Sequence, residues 1–270
     1  MSVPLLFACV LCVALLYYLL TPCVSPCYSN TTVQWFNRLI ELVYPPSCLS
    51  CQSRLPEPSS LELCAGCERR LRAVPPPRCP RCARHSAIHL QPGETCVACR
   101  QLLPSFRSAL AAFEYASVLR DCIHRIKFES HQRLASALGE RLARIAGAHL
   151  RAAQYDAVIP VPLHRARWRD RGFNQSEALA TPVSCALDVP LESAALRRTR
   201  GTQPQSRLEP PDRHDNVDGA FQVREPQRIA GRRLLLVDDV LTTGATADAC
   251  SRALLDAGAA SVDVLVLATN

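Results

Sequence analysis

The chain has 270 residues, 48% of them hydrophobic, which sets a prior of one or two domains and excludes a disordered chain. Its 31 Lys+Arg against 24 Asp+Glu permit a polyanionic partner without requiring one, and 15 cysteines in a chain this long exclude a small disulfide scaffold. Lys127 is the only lysine, so the positive charge is carried by arginines, whose planar fork suits phosphate.

Residues 1–37 carry no charged side chain, and Val3–Leu20 is almost wholly apolar. As a helix that run spans roughly 27 Å, enough to cross a bilayer. Three readings of residues 1–32 stand. The segment is a membrane anchor, with Arg38 and Arg54 holding the rest of the chain in the cytoplasm. It is a secretory signal, although Met1-Ser2-Val3 lacks the basic start such signals carry. Or it precedes the true start, with Val33 as a candidate, since Met1 is the only methionine. The expected location is the cytoplasm, facing it from a membrane if residues 3–20 are translated.

Residues 45–102 form a Cys-rich segment with four Cys-x-x-Cys pairs: Cys48/Cys51, Cys64/Cys67, Cys79/Cys82 and Cys96/Cys99. Prolines punctuate it and hydrophobic periodicity is slight, so a large core of its own cannot hold it. Each pair presents two thiolates to one metal ion, and two pairs complete the tetrahedron of zinc. The spacing allows successive sites, or interleaved ones in which the first pair joins the third and the second the fourth. One or two structural Zn ions are expected. A disulfide across Cys-x-x-Cys would close almost no loop and stabilise little.

From residue 106 to 270 the pattern becomes that of a parallel α/β sheet. Ala109–Tyr115 reads as a strand and Val118–Lys127 as a helix with Leu119, Ile123 and Ile126 on one face. Leu134, Leu138, Leu142 and Ile145 mark a longer helix. Asp156–Val161 reads as a buried strand ended by Pro162, and Gln175–Leu187 as a helix that Pro182 breaks or kinks. Arg197–Asn216 is a polar loop of a length usually associated with function. Leu234–Val237 is a further strand, Thr246–Ala257 a helix closed by Gly258, and Val262–Ala268 the last strand. Cys122, Cys185 and Cys250 fall on these helices and are expected in the core.

The run from Leu234 to Thr246 (LLLVDDVLTTGAT) carries the sharpest chemistry. A buried strand delivers Asp238 and Asp239 to the sheet edge where such folds bind ligands. Gly244 then permits close backbone approach, and the N–H groups of Thr243 to Thr246 can wrap a phosphate at a helix start. The acids can accept hydrogen bonds from neighbouring sugar hydroxyls.

These residues resemble the 5-phosphoribosyl-1-pyrophosphate (PRPP) motif of type I phosphoribosyltransferases. The resemblance implies that Asp238 and Asp239 hold ribose hydroxyls and that Thr242, Thr243, Gly244, Ala245 and Thr246 hold the 5′-phosphate. It also implies a pyrophosphate loop at Val161, Pro162, Leu163 and His164, after the Ile159-Pro160 strand end. Thr199–Gln205 resembles the flexible catalytic loop, with Arg200 and Gln203 as the catalytic candidates, and Mg²⁺ is expected with PRPP. Relatives acting on 6-oxopurines carry an Asp where this chain has Thr242, so a different acceptor is implied.

Four Cys pairs followed by this domain resemble the ComF/GntX competence-protein family. Arg171-Gly172-Phe173-Asn174-Gln175 is similar to that family's RGFNQ signature, as is Arg213-x2-Asn216 leading to Ala220-Phe221. Val33–Cys51 has the form with which family members commonly open, which favours a start near Val33. The resemblance implies a zinc-ribbon domain ahead of a type I phosphoribosyltransferase fold. It further implies handling of single-stranded DNA in natural transformation, beside a DNA-import helicase. The basic run Arg165, Arg167, Arg169 and Arg171, with Trp168 interleaved, is the expected strand-binding element. The other reading is an active phosphoribosyltransferase of unidentified acceptor.

Overall fold

The computed structural model describes residues 46–56, 61–87, 90–91, 93–201 and 216–270. The apolar leader, Gln203 and Arg213 lie outside the described residues. The apolar runs of the C-terminal two thirds form four strands, β1 (Ala109–Glu114), β2 (Ala157–Pro160), β5 (Arg233–Leu241) and β6 (Ser261–Thr269). They make a parallel sheet in the order β1-β6-β5-β2. Between them run the helices α3 (Ser117–Phe128), α4 (Gln132–His149), α5 (Arg165–Arg171), α6 (Gln175–Leu187) and α7 (Ala245–Asp256). A small antiparallel pair, β3 (Leu196–Arg198) with β4 (Phe221–Val223), brackets the polar loop.

The period-two alternation of β5 and β6 divides the core into two layers. Leu235, Val237, Leu265 and Leu267 pack under α3, α4 and α6, whereas Leu234, Leu236, Val264 and Val266 pack under α7 and the β3–β4 pair. The Cys-rich segment, with short helices α1 (Ala65–Glu68) and α2 (Val97–Leu102), joins both layers. Cys48, Leu55, Leu61, Leu63 and Cys67 belong to the first cluster; Val74, Cys79, Cys82, Ala83 and Cys99 belong to the second. The segment thus leans its few apolar side chains on the sheet's two faces, and residues Pro46–Asn270 make one compact unit. It also covers the outer edge of β1, where Glu114 N–H donates to Arg72 carbonyl oxygen at 2.8 Å.

Several local expectations change. β5 runs through the acidic pair instead of ending at Val237, with Asp238 aligned to Val266. Pro182 sits inside a continuous α6. The Thr181 hydroxyl donates to Glu177 carbonyl oxygen at 2.9 Å, one of the carbonyls of that turn. Cys122 and Cys250 are buried, but Cys185 is exposed, because the inward stripe of α6 is Leu179, Ala180, Val183, Ser184 and Leu187. Residues 165–171, expected as a basic run, form α5, started by His164 and ended by Gly172 at φ 76°.

Candidate functional site

β5 carries Asp238 and Asp239 to its C-terminal end, where both side chains are buried. Consecutive strand residues point to opposite faces, so the two acids meet different partners. Asp238 Oδ1 accepts from the Ser176 hydroxyl at 2.9 Å and from the Asp239 N–H at 2.8 Å. Asp239 meets the Lys127 ammonium, at 3.0 Å from Oδ1 and 2.9 Å from Oδ2. Burial, then the negative charge of Asp239, pushes the Asp238 carboxyl up to about 7, with Lys127 and the two donors opposing that rise. Asp238 is therefore poised to take or give a proton near neutrality, while Asp239 faces an ammonium.

The segment after β2 ties a second loop to these acids. The Asn174 side chain accepts from Ser176 N–H at 3.2 Å as the cap of α6, and its amide donates to Val161 carbonyl oxygen at 3.1 Å. One residue thus fixes Val161, Pro162, Leu163 and His164 relative to Ser176, which in turn holds Asp238. Arg171 donates to Gln175 Oε1 at 2.9 Å, and Phe173 is buried between them in sequence. Each position of the RGFNQ run therefore has a structural part to play, as guanidinium tie, left-handed helix stop, apolar anchor, cap and acceptor in turn.

The loop Thr242–Thr246 runs into α7, and Ala245 N–H at its start donates to the Thr243 hydroxyl at 3.4 Å. Gly244 adopts φ 87°, a backbone region that favours glycine, and Phe106 lies beneath it. The Asp248 carboxylate in the first turn of α7 accepts from Ser105 N–H at 2.6 Å. Thr242, Thr243, Gly244 and Thr246 are part-exposed and Ala245 is buried.

The base of the polar loop lies against the segment after β2: a Cβ built on Gly201 would stand 3.2 Å from the His164 ring. Arg200 donates to the carbonyl oxygens of Asp218 at 2.6 Å and Asn216 at 3.4 Å. Its guanidinium thus ties Arg200 to the backbone of Asn216 and Asp218. A groove of about 970 Å³ opens beside the loop. His164, Arg165, Trp168 and Arg169 form one side and Arg197, Arg198 and Arg224 the other. Trp168 is exposed, whereas burial lowers the ordinary basicity of Arg167 and Arg171. Arg198 lies 5.3 Å from the centre of the Phe221 ring.

The eight paired cysteines form two clusters, Cys48/Cys51/Cys64/Cys67 and Cys79/Cys82/Cys96/Cys99. The pairing is successive, not interleaved. Within each cluster all four sulfurs lie within 4.8 Å of one another, and none of the eight is in a disulfide. Cys51 and Cys64 sulfurs are 3.7 Å apart, as are those of Cys82 and Cys96. Tetrahedral zinc with Zn–S near 2.3 Å needs sulfurs separated by about 3.8 Å, so the donor sets fit zinc. Backbone N–H groups of Cys67 and Cys96 point at the Cys64 and Cys79 sulfurs, at 3.4 and 3.3 Å, and would stabilise thiolates there.

Sequence reasoning missed Lys127, Ser176 and the arginines of the β3–β4 pair as site residues. Lys127 had one signal, its being the chain's single lysine; Ser176 had none beyond following the signature. Among the described residues no helix is long and apolar enough to cross a membrane.

Comparison with known proteins gives a consistent picture. Family models of a double zinc ribbon domain and of a phosphoribosyl transferase domain match residues 39–101 and 172–270. The chain is 38% identical over 213 residues to the DNA utilization protein YhgH of Shigella flexneri, covering 76% of this chain and 89% of that one. It is 30% identical to competence protein F of Haemophilus influenzae, over 82% and 96% of the two chains. Competence protein ComFC of Bacillus subtilis is 25% identical over 76% and 83%. Among solved structures, an allosteric regulatory enzyme of purine biosynthesis is 22% identical over 49% of this chain and 26% of that one, with a TM-score of 0.36.

Proposed function

Because the chain belongs to the ComF/GntX family, a double zinc ribbon joined to a phosphoribosyltransferase fold, we propose that it binds PRPP, or a related phosphoribosyl ligand with Mg²⁺, and acts in the handling of single-stranded DNA. The observation that carries the pocket reading is the linkage of its three parts. Asn174 ties Val161, Ser176 ties Asp238, and β5 passes directly from the acids into the Thr242–Thr246 loop. A diphosphate, a sugar diol and a terminal phosphate would each meet a separate, mutually fixed set of groups. Asp238 and Asp239 are the assigned ribose acceptors, Thr242 to Thr246 the phosphate donors, and Val161 to His164 the diphosphate cradle. Mg²⁺, a hard cation suited to oxygen ligands, would offset the charge of the diphosphate beside them.

The groove supports the nucleic-acid part. Arg165 and Arg169 with Trp168 on one side, and Arg197 and Arg224 on the other, combine cations for a backbone with a ring for stacking. Arg167 and Arg171 stand on the same helix. Binding to single-stranded DNA should weaken as salt rises, because phosphate contacts release counterions.

A second reading, transfer of the phosphoribosyl group to an acceptor, draws on one feature. Gly201 and Arg200, at the base of the polar loop, stand beside His164, so a loop that closed over the diphosphate would start from the right place. The experiment is a titration of the full chain with PRPP·Mg²⁺ by calorimetry, against Asp238→Asn/Asp239→Asn in parallel. Saturable binding in the wild type and none in a folded double variant is the expected result. Unchanged binding in the variant would remove the pocket assignment. Release of pyrophosphate with a nucleobase or amine would select the transferase reading.

A further inference from the structure

The pocket reading leaves one prominent group unused. Lys127 closes α3, yet it lies off the buried stripe of that helix, which is Val118, Leu119, Cys122, Ile123 and Ile126. Its stem is about three-quarters shielded; its ammonium donates to Asp239 Oδ1 at 3.0 Å and lies 2.9 Å from Oδ2, which accepts no hydrogen bond. That hydrogen bond and the close approach to Oδ2 fix the orientation of the carboxylate. Asp238 has protein donors of its own in Ser176 and the Asp239 N–H, so the two acids are oriented by different means.

The helix that carries this ammonium is itself held from outside the pocket. Asp121 accepts from the Ser50 hydroxyl at 3.1 Å, and Arg70 donates to the Ser117 hydroxyl at 2.8 Å. Cys122 is buried in the same cluster as Cys48 and Cys67. α3 is therefore clamped by the first ribbon at its start and middle, while its last turn delivers Lys127 to the acid.

We propose that Lys127 is a positioning residue for the sugar subsite: it orients the Asp239 carboxylate, so that the pocket discriminates a ribose phosphate from phosphate alone. This inference rests on the pocket reading above and adds the group that sets its selectivity. A buried ion pair kept only for stability would be a poor choice here, since desolvation offsets much of the attraction. A carboxylate that must accept from a ligand hydroxyl needs its oxygens aimed, and an ammonium hydrogen-bonded to Oδ1 while Oδ2 accepts no other hydrogen bond aims them.

The test uses the full chain, with ribose 5-phosphate and inorganic phosphate as separate calorimetric probes. Lys127→Met should weaken ribose 5-phosphate by about tenfold or more, the scale of a charge-assisted hydrogen bond, and change phosphate by less than about threefold. Lys127→Arg should recover most of the ribose 5-phosphate affinity. Asp239→Asn should reproduce the Lys127→Met loss, and the double variant should lose little beyond either single one, as expected for residues acting as a unit. Equal weakening of both probes, or no weakening of either, overturns the assignment of Lys127. A wild-type chain that fails to bind ribose 5-phosphate overturns the pocket reading itself, and the inference with it.

Discussion

At the scale of single residues, Asp238 carries a pH dependence whose sign can be worked out. Its carboxyl is pushed up to about 7 by burial and by the Asp239 charge, well above the value of an unfolded chain. Between roughly pH 4 and pH 7 the folded chain therefore holds a proton that the unfolded chain has released. Stability from this group is greatest below the unfolded value and declines as pH rises to about 7, beyond which the contribution is level. Thermal melts across that range should show a decline in the wild type that Asp238→Asn removes, relative to the slope left by all other groups. The same slope in both proteins would contradict the assignment. A ligand whose hydroxyl donates to Asp238 favours the ionised form, so its affinity should strengthen as pH rises towards 7. Asn174 gives a second prediction at this scale. Asn174→Ala removes the cap of α6 and the tie to Val161 together, and should cost about 1–2 kcal/mol in denaturant unfolding. It should also weaken PRPP binding beyond what the fold loses, because the diphosphate cradle is released from the acids.

At the scale of elements, the packing of α4 on α6 is decided by one missing side chain. A Cβ on Gly139 would stand 2.9 Å from Ala178 carbonyl oxygen and 3.1 Å from Leu179 Cα, both backbone atoms that cannot rotate away. Helix propensity alone favours Gly→Ala by roughly 1 kcal/mol. The clash reverses the sign: Gly139→Ala should destabilise by about 1–3 kcal/mol, the usual cost of overpacking, measured as a lower urea midpoint. A higher midpoint would mean that the helices separate freely. The sequence announced α4 through its leucine stripe, and likewise β1, β2, β5 and β6 through apolar runs. It did not announce α5, because that helix fully buries none of its residues, Arg167 and Arg171 being only half-buried, and so has no periodicity to read. β3 and β4, three residues each, are too short for alternation to register. Pro182 leaves α6 unbroken: an interior proline is costly, but α6 is packed on α4, β2 and β5, and tertiary burial outweighs that cost.

At the scale of the whole unit, the two metal clusters support opposite faces of the sheet, and this is where sequence spacing had left the matter open. Gaps of 12 and 13 residues between paired cysteines are equally compatible with successive and interleaved sites. What decides is where each ribbon finds apolar surface. Cys48, Leu61, Leu63 and Cys67 share a core with α3, the helix that presents Lys127. Cys82, Cys99 and the following Phe106 share a core with α7, and Ser105 reaches Asp248 in its first turn. Because the ribbons have so little core of their own, metal binding supplies their folding energy, and losing the metal should loosen the element each one supports. The two losses should be separable. Cys48→Ser/Cys67→Ser should raise amide hydrogen exchange across residues 117–128 and leave 245–256 protected. Cys82→Ser/Cys99→Ser should do the reverse, exposing the start of α7 and the loop that precedes it. Each double variant should also release about half of the zinc measured in the wild type. Faster exchange in both helices from either variant would mean that the sheet transmits the disturbance across its two layers. Unchanged exchange would mean that apolar packing on the sheet is enough to hold a ribbon without its metal.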